Sequence, residues 1–335
     1  MPTIQEVATL AGVSVGSVSR YINGKNLRPQ TATSIQKAID ELGYQANIFG
    51  KALRGQRSYS VGVLVNDINN VFSSAIYTSV EAGFQKAGYT TLMMDYRGNE
   101  RVLKSKLKFM LSRQVDAIVL VMSEQKLHDT KWLEDIKVPM VIMDNPVLTH
   151  RFPGVVVDNE HSVASVIRKM MAVGHERIGM IAPPDDTYVG QQRRNGWYDA
   201  YEVNDRMPNP DDLIVCPYDI DSGYQAMLKL LDRGQVTAVF AANYYQAVGA
   251  LKAIFERHLV LGKDLGFASF DDLGVISSIT SPPITVVEQP VERMAYYAVT
   301  AIIKMLENST ETWPTGIQMF NSHIKFSNSI VRKPR

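Results

Sequence analysis

At 335 residues the chain is too long for one compact core and fits two or three domains. Its apolar fraction of 45% is that of a globular protein, no apolar run reaches the ~18 residues of a bilayer span, and MPTIQEVATL lacks both regions of a secretion signal. One cysteine, Cys216, excludes an intramolecular disulfide and fits a reducing cytoplasm, while the net charge of +1 hides an asymmetry: residues 1–60 carry seven basic and three acidic side chains, leaving 28 basic and 31 acidic for the rest.

A small basic head on a mildly acidic body is what phosphate contact by one end requires. Thr3 followed by Glu6 is a capping box that opens a helix whose apolar positions are Ile4, Val7, Ala8, Leu10 and Ala11. Gly12 ends it in a tight turn. Ser14 caps a second helix in which Val18, Tyr21 and Ile22 face inward and Val15, Gly16, Ser17, Ser19 and Arg20 outward. A third helix, from about Gln30 to Leu42, buries Ile35, Ala38, Ile39 and Leu42. Three short helices with a glycine turn between the first two make a helix-turn-helix unit, whose second helix reads a DNA groove. That helix is slim, rich in hydroxyls and free of carboxylates, which packing alone does not call for. Arg20 has the fork that bridges guanine O6 and N7, and Ser14, Ser17 and Asn23 have the size to meet phosphates or base edges. Val15 and Gly16, at the leading end, offer only a methyl surface and bare backbone.

From residue 60 onward, apolar strand runs alternate with helical patterns. Strands are predicted at 60–65, 90–95, 117–122, 140–144, 177–182, 213–217, 238–242 and 265–270. Helices are predicted at 72–87, 100–113, 160–173, 191–204, 222–233 and 245–258. This alternation means parallel sheets covered on both faces, and the similar openings SVGVLV and RIGMIA point to two similar lobes. Such sheets bind ligands at the carboxyl ends of their strands, so two facing lobes form a cleft for one small molecule. Asp271 follows GFASF, Asn243 follows AVFAA, Tyr218 follows LIVCP and Phe72 follows NDINNV with Asn145 beside it; all are candidate ligand contacts.

The segments TIQEVATLAGVS and SVSRYING, continuing into LGYQANIFGKALRGQ, resemble the lactose-repressor (LacI/GalR) family of bacterial transcription regulators over essentially the whole chain. The resemblance implies an α/β protein with an N-terminal helix-turn-helix headpiece and a two-lobed, periplasmic-binding-protein-like core of parallel sheets. It implies DNA binding by residues 1–45, a hinge helix or linker at 46–59 and an effector-binding and dimerisation core at 60–335. Within that core the N-lobe takes about 60–158 and 290–321, and the C-lobe about 159–288 and 323–335, with crossings near Asp158-Asn159, Glu288-Gln289 and Asn321-His323.

On DNA, the resemblance makes Leu53 a wedge in the minor groove, with Asn47, Gly50 and Lys51 near backbone and groove; Thr3 joins the DNA-facing set. In the cleft it makes Asp271 the carboxylate for ligand hydroxyls, Arg193 a partner for hydroxyls or a carboxylate, and Tyr218 a cover for one ligand face. Four positions depart from the family pattern. Ala46 stands where proline is usual and Gly50 where alanine is usual, so the hinge folds less readily off DNA; Tyr244 replaces a usual aspartate and Val71 a common proline.

No HExxH, GxSxG, Walker A or GxGxxG pattern is present, and the six histidines show no metal-ligand spacing, so neither catalysis, a cofactor nor a metal is expected. The reading is a cytoplasmic, homodimeric repressor that binds a palindromic double-stranded operator and answers to a small-molecule effector, a sugar first and a nucleoside second. Either sign of the response, induction or corepression, fits. The rivals are a carbohydrate- or nucleoside-binding receptor without a DNA role and a regulator controlled by a phosphocarrier protein; no membrane partner is expected. IVRKPR carries no leucine heptads, which disfavours a coiled-coil tetramer.

Overall fold

The computed structural model describes residues 2–22, 25–44, 57–122, 131–307 and 315–331. Asn23, Asn47, Gly50, Lys51 and Leu53 lie outside the described residues. The chain divides into two compact units, Met1–Ser58 and Tyr59–Arg335.

The first unit holds three helices: α1 (Ile4–Ala11), α2 (Val15–Ile22) and α3 (Pro29–Leu42). Gly12 takes the left-handed conformation at φ 66° and stops α1. Val7, Ala8, Val18, Ile35 and Ala38 form the core. Leu10 is 47% exposed: it lies off the stripe that Ile4, Val7, Ala8 and Ala11 trace at spacings of three and four.

The second unit contains two six-stranded sheets. In chain order its elements are β1 (Ser60–Val65), α4 (Val71–Lys86), β2 (Thr90–Asp95), α5 (Glu100–Ser112), β3 (Ala117–Val121), α6 (Lys131–Glu134), β4 (Met140–Met143) and β5 (Gly154–Val157). There follow α7 (Asn159–Ala172), β6 (Ile178–Ala182), α8 (Tyr188–Glu202), β7 (Leu213–Val215), α9 (Ile220–Arg233), β8 (Ala238–Ala241), α10 (Tyr244–Glu256), β9 (Gly266–Phe270) and α11 (Val275–Ile279). The last are β10 (Thr285–Glu288), α12 (Val291–Glu307), β11 (Ile317–Phe320) and β12 (His323–Lys325).

One sheet runs β11-β5-β4-β3-β1-β2 and the other β12-β10-β9-β8-β6-β7. Pairing is parallel except for β10 with β12, where Val287 faces Ile324 in antiparallel register. The central strands are apolar on both sides because helices cover both faces. In the first sheet, Val61, Val63 and Val65 pack under α4 and α12, while Leu64, Ile118 and Leu120 pack against Leu103 and Leu107 of α5. In the second, Met180 and Phe240 meet Ile167 and Trp197 of α7 and α8, and Ile181 and Val239 meet Leu230 and Ile254 of α9 and α10.

The chain leaves the first sheet after β5, returns to it after β10 through α12, and leaves again between β11 and β12. Five elements that the sequence pattern left out, β5, β10, α12, β11 and β12, carry these passages. They place the ends of β9 and β10 beside the start of α4, where a cleft opens.

Candidate functional site

In the headpiece the Thr3 amide donates to Glu6 Oε2 at 2.6 Å and the Glu6 amide to Thr3 Oγ1 at 3.3 Å, closing the capping box. The bonds from Thr3 hold the Glu6 carboxyl below its usual range. Ser14 Oγ accepts from the Ser17 amide at 3.2 Å and lies 3.0 Å from Ser17 Oγ, so both hydroxyls organise the start of α2. Tyr21 Oη donates to Gln36 Oε1 at 2.7 Å and fixes α2 on α3.

Ser14, Gly16 and Arg20 remain exposed, with Arg20 Nε reaching the Gly16 carbonyl at 3.4 Å along the helix. Ser17 is half-buried. Val15 departs from the outward placement expected of it: it is half-buried and packs on the headpiece core, because a valine in the first turn of so short a helix reaches the apolar layer below. The exposed face therefore offers one guanidinium, one hydroxyl and bare backbone, and α2 bears no carboxylate to repel phosphate.

The core unit has a cleft of about 600 Å³ between the start of α4 and the ends of β9 and β10. Its wall includes Val71, Phe72 and Ala75 from one lobe and Asp271, Asp272 and Gln289 from the other. Phe72 is 7% exposed and serves two surfaces, the cleft and the apolar layer it shares with Ile76 and Val80. Asp271 is 7% exposed, has φ 72°, and accepts a bond on Oδ1 from Gln289 Nε2 at 2.6 Å. A non-glycine residue at positive φ directly after a strand stores strain of the kind found at ligand sites.

The other four candidates sit at or near strand ends but are not part of that wall. Arg193 is 2% exposed and braced inside the protein: Nε donates to Asn159 Oδ1 at 2.8 Å, Nη1 to the Ala242 carbonyl at 2.7 Å, and the guanidinium lies 3.5 Å from the Phe270 ring centre. Asn243 caps α10, its Oδ1 accepting from the Tyr245 amide at 2.9 Å. Tyr218 Oη lies 3.2 Å from Thr187 Oγ1, and Asn145 Nδ2 donates to the Met122 carbonyl at 3.4 Å. These bonds give each side chain an internal task beside any ligand it meets.

Gln289 is a cleft residue that the sequence pattern did not single out as a ligand contact, and Tyr188, outside the cleft wall, opens α8. Burial first, then the carboxylates of Asp144, Asp158 and Glu160, push the Tyr188 phenol above its usual range. Gln289 had one legible signal, its place at the expected Glu288-Gln289 crossing between lobes. His175 is structural: Nδ1 lies 3.0 Å from Thr237 Oγ1 and Nε2 3.0 Å from the Ile330 carbonyl. Among the described residues no group of acidic, histidine and cysteine side chains is placed to hold a metal, and no helix is long and apolar enough to cross a membrane.

Residues 3–47 match the family described as bacterial regulatory proteins, lacI family, and residues 167–319 match a periplasmic binding protein-like domain. Catabolite control protein A of Priestia megaterium is 27% identical over 330 residues, covering 98% of each chain. The HTH-type transcriptional repressor PurR of Haemophilus influenzae (strain PittEE) is 25% identical over 343 residues, 99% of this chain and 98% of the relative. Among solved structures, the transcriptional regulator CelR–cellobiose complex superposes with a TM-score of 0.73 at 26% identity, covering 98% of this chain and 100% of the other. The lac repressor dimer bound to operator and the anti-inducer ONPF gives a TM-score of 0.87 at 23% identity over 98% of this chain and 99% of the other, a likeness of fold. The relatives are regulators rather than enzymes, and the chain joins a DNA-binding domain of the lacI family of bacterial regulatory proteins, residues 3–47, to a periplasmic binding protein-like domain, the make-up of a DNA-binding transcriptional repressor.

Proposed function

We propose that the protein is a cytoplasmic homodimeric repressor of a sugar uptake or catabolism operon, binding a near-palindromic operator and answering to a sugar held between its lobes. Two headpieces read inverted half-sites in successive major grooves, Arg20 choosing bases while Thr3, Ser14, Ser17 and Asn23 position the unit. The hinges meet at the operator centre, where Leu53 opens a base step and Asn47, Gly50 and Lys51 follow the backbone. The sugar and the operator prefer different lobe arrangements, and a coupling of about 1–3 kcal/mol is enough to switch binding.

The observation that carries this reading is Asp271, buried at a strand end and facing Phe72 of the other lobe across the cleft. In this reading Arg193, Asn145, Asn243 and Tyr218, which lie outside the wall around Asp271, complete the contacts to the sugar from neighbouring loops and helices. The structural relative with cellobiose bound favours a sugar. A purine or nucleoside is the second reading, favoured by the PurR relative and by the Tyr244–Tyr245 ring pair, whose centres lie 5.5 Å apart.

Selection of bound duplexes from a random library by the full chain tests the DNA half of the proposal. It is expected to enrich two inverted half-sites whose centres lie about one helical turn apart or a little more. Enrichment of a single unpaired half-site, or of nothing, would contradict it.

A further inference from the structure

We infer that the outer face of α5 is a second, sequence-independent surface for duplex DNA, one that holds the phosphate backbone without reading bases. Residues 97–113 carry six basic side chains, Arg97, Arg101, Lys104, Lys106, Lys108 and Arg113, and one acidic, Glu100. The rest of residues 61–335 carries 22 basic and 30 acidic side chains, so cationic charge is gathered on this one helix of an otherwise acidic core. Leu103, Leu107 and Met110 fix the buried face of α5 in the apolar layer of the first sheet. Arg101, Ser105 and Lys108, at spacings of four and three, share the opposite face, and all three are exposed.

Local contacts leave this face rich in donors. The one carboxylate, Glu100, is paired through Oε1 with Lys104 Nζ at 2.8 Å, and Lys104 also lies 5.1 Å from the Trp132 ring centre. The Arg113 guanidinium sits 5.0 Å from the ring centre of the exposed Phe109. Arg101 and Lys108 enter no ion pair among the described residues. Cations and a hydroxyl without an unpaired carboxylate suit a polyanion. Arg101 and Lys108 stand seven residues apart, about 10 Å along the helix, which matches about three base-pair steps of a duplex. The topology favours DNA over an acidic protein. Helix α5 ends at Ser112, and Asp116 then accepts the Tyr59 amide on Oδ2 at 2.7 Å and donates its own amide to the Ser60 carbonyl at 2.7 Å. The helix therefore ends where the chain enters the core from residues 1–58.

The test compares the full-length wild type with the double variant Arg101→Gln, Lys108→Gln on two duplexes of about 60 base pairs, by fluorescence anisotropy between about 50 and 200 mM salt. One duplex is centred on the selected operator and the other has random sequence. Glutamine keeps helix propensity, and the unliganded Tm confirms folding. Arg206→Gln with Lys229→Gln, the same charge change on exposed residues of the other lobe, is the control. The α5 variant is expected to bind both duplexes about tenfold more weakly at the lowest salt, with a salt slope reduced by about 2 and an unchanged preference for operator over random sequence. The control is expected to bind as the wild type does. An unchanged slope on both duplexes would overturn the inference and leave the face to an acidic protein. A loss confined to the operator, or an equal loss in the control, would overturn it as well.

Discussion

Tyr245 Oη donates to Asp67 Oδ2 at 2.7 Å, joining the start of α10 in one lobe to the loop after β1 in the other. A hydrogen bond to a charged acceptor is worth about 1.5–3 kcal/mol when well sheltered, and this one is only partly buried, so about 1 kcal/mol is expected. Tyr245→Phe and Asp67→Asn should each destabilise the core by that amount in urea. The double variant should lose no more than either single one. Additive losses would show that the two side chains do not act on each other.

On the headpiece, Arg20 is the one exposed guanidinium on a helix without carboxylates. Arg20→Ala is expected to lower affinity for the selected operator by about 1–3 kcal/mol while leaving weak, salt-dependent binding to random duplex. Footprints of equal strength from the variant and the wild type would remove Arg20 from base reading.

The α9–α10 contact depends on Gly223. A Cβ there would lie 2.5 Å from the Gln246 carbonyl oxygen and 2.6 Å from its Cα, both backbone atoms that cannot swing aside. Gly223→Ala should therefore destabilise the core by about 1–3 kcal/mol, read from urea denaturation. A variant as stable as the wild type would show that α9 and α10 can separate freely.

Cys216 is half-buried, and burial pushes its thiol from 9.0 up to about 11, against a smaller opposing effect from the Gln246 side-chain amide. Because the folded value is the higher one, the thiol stays protonated in the native state until pH approaches 11. Iodoacetamide at pH 8 should modify native protein about a hundredfold more slowly than the urea-unfolded chain. Equal rates in the two states would contradict the assigned environment.

Much of this architecture is legible in the residues, for reasons that are local. Ser60–Val65 and Ala117–Val121 are continuous apolar runs of strand length, and the Thr3–Glu6 box and Gly12 mark both ends of α1 without tertiary help. The closing elements are less so. Gly154–Val157 and His323–Lys325 are too short for any period, and the second gains strand character only by pairing antiparallel with Thr285–Glu288. Helix α12 does carry a helical stripe in Met294, Ala295, Ala298, Ile302 and Met305, yet nothing local says that it crosses back to cover the first sheet.

The cleft divides in the same way. Asp271 stands out because it follows a fully buried strand, and Phe72 because it opens a helix after a loop. The bracing of Arg193 by Asn159 and Ala242 joins residues 34 and 49 positions away, and the Gln289–Asp271 pair spans 18 positions. Such pairings exist only once the sheets are assembled.

The central claim is that a ligand in the Asp271 cleft changes how the headpieces hold DNA. It is tested most directly by fluorescence anisotropy on the selected operator, titrated with a sugar that raises Tm, in wild type and in Asp271→Ala. A change in operator affinity of about 5- to 150-fold is expected for the wild type. For Asp271→Ala the unliganded affinity should be kept and the change lost. An identical sugar response in both proteins would contradict the account.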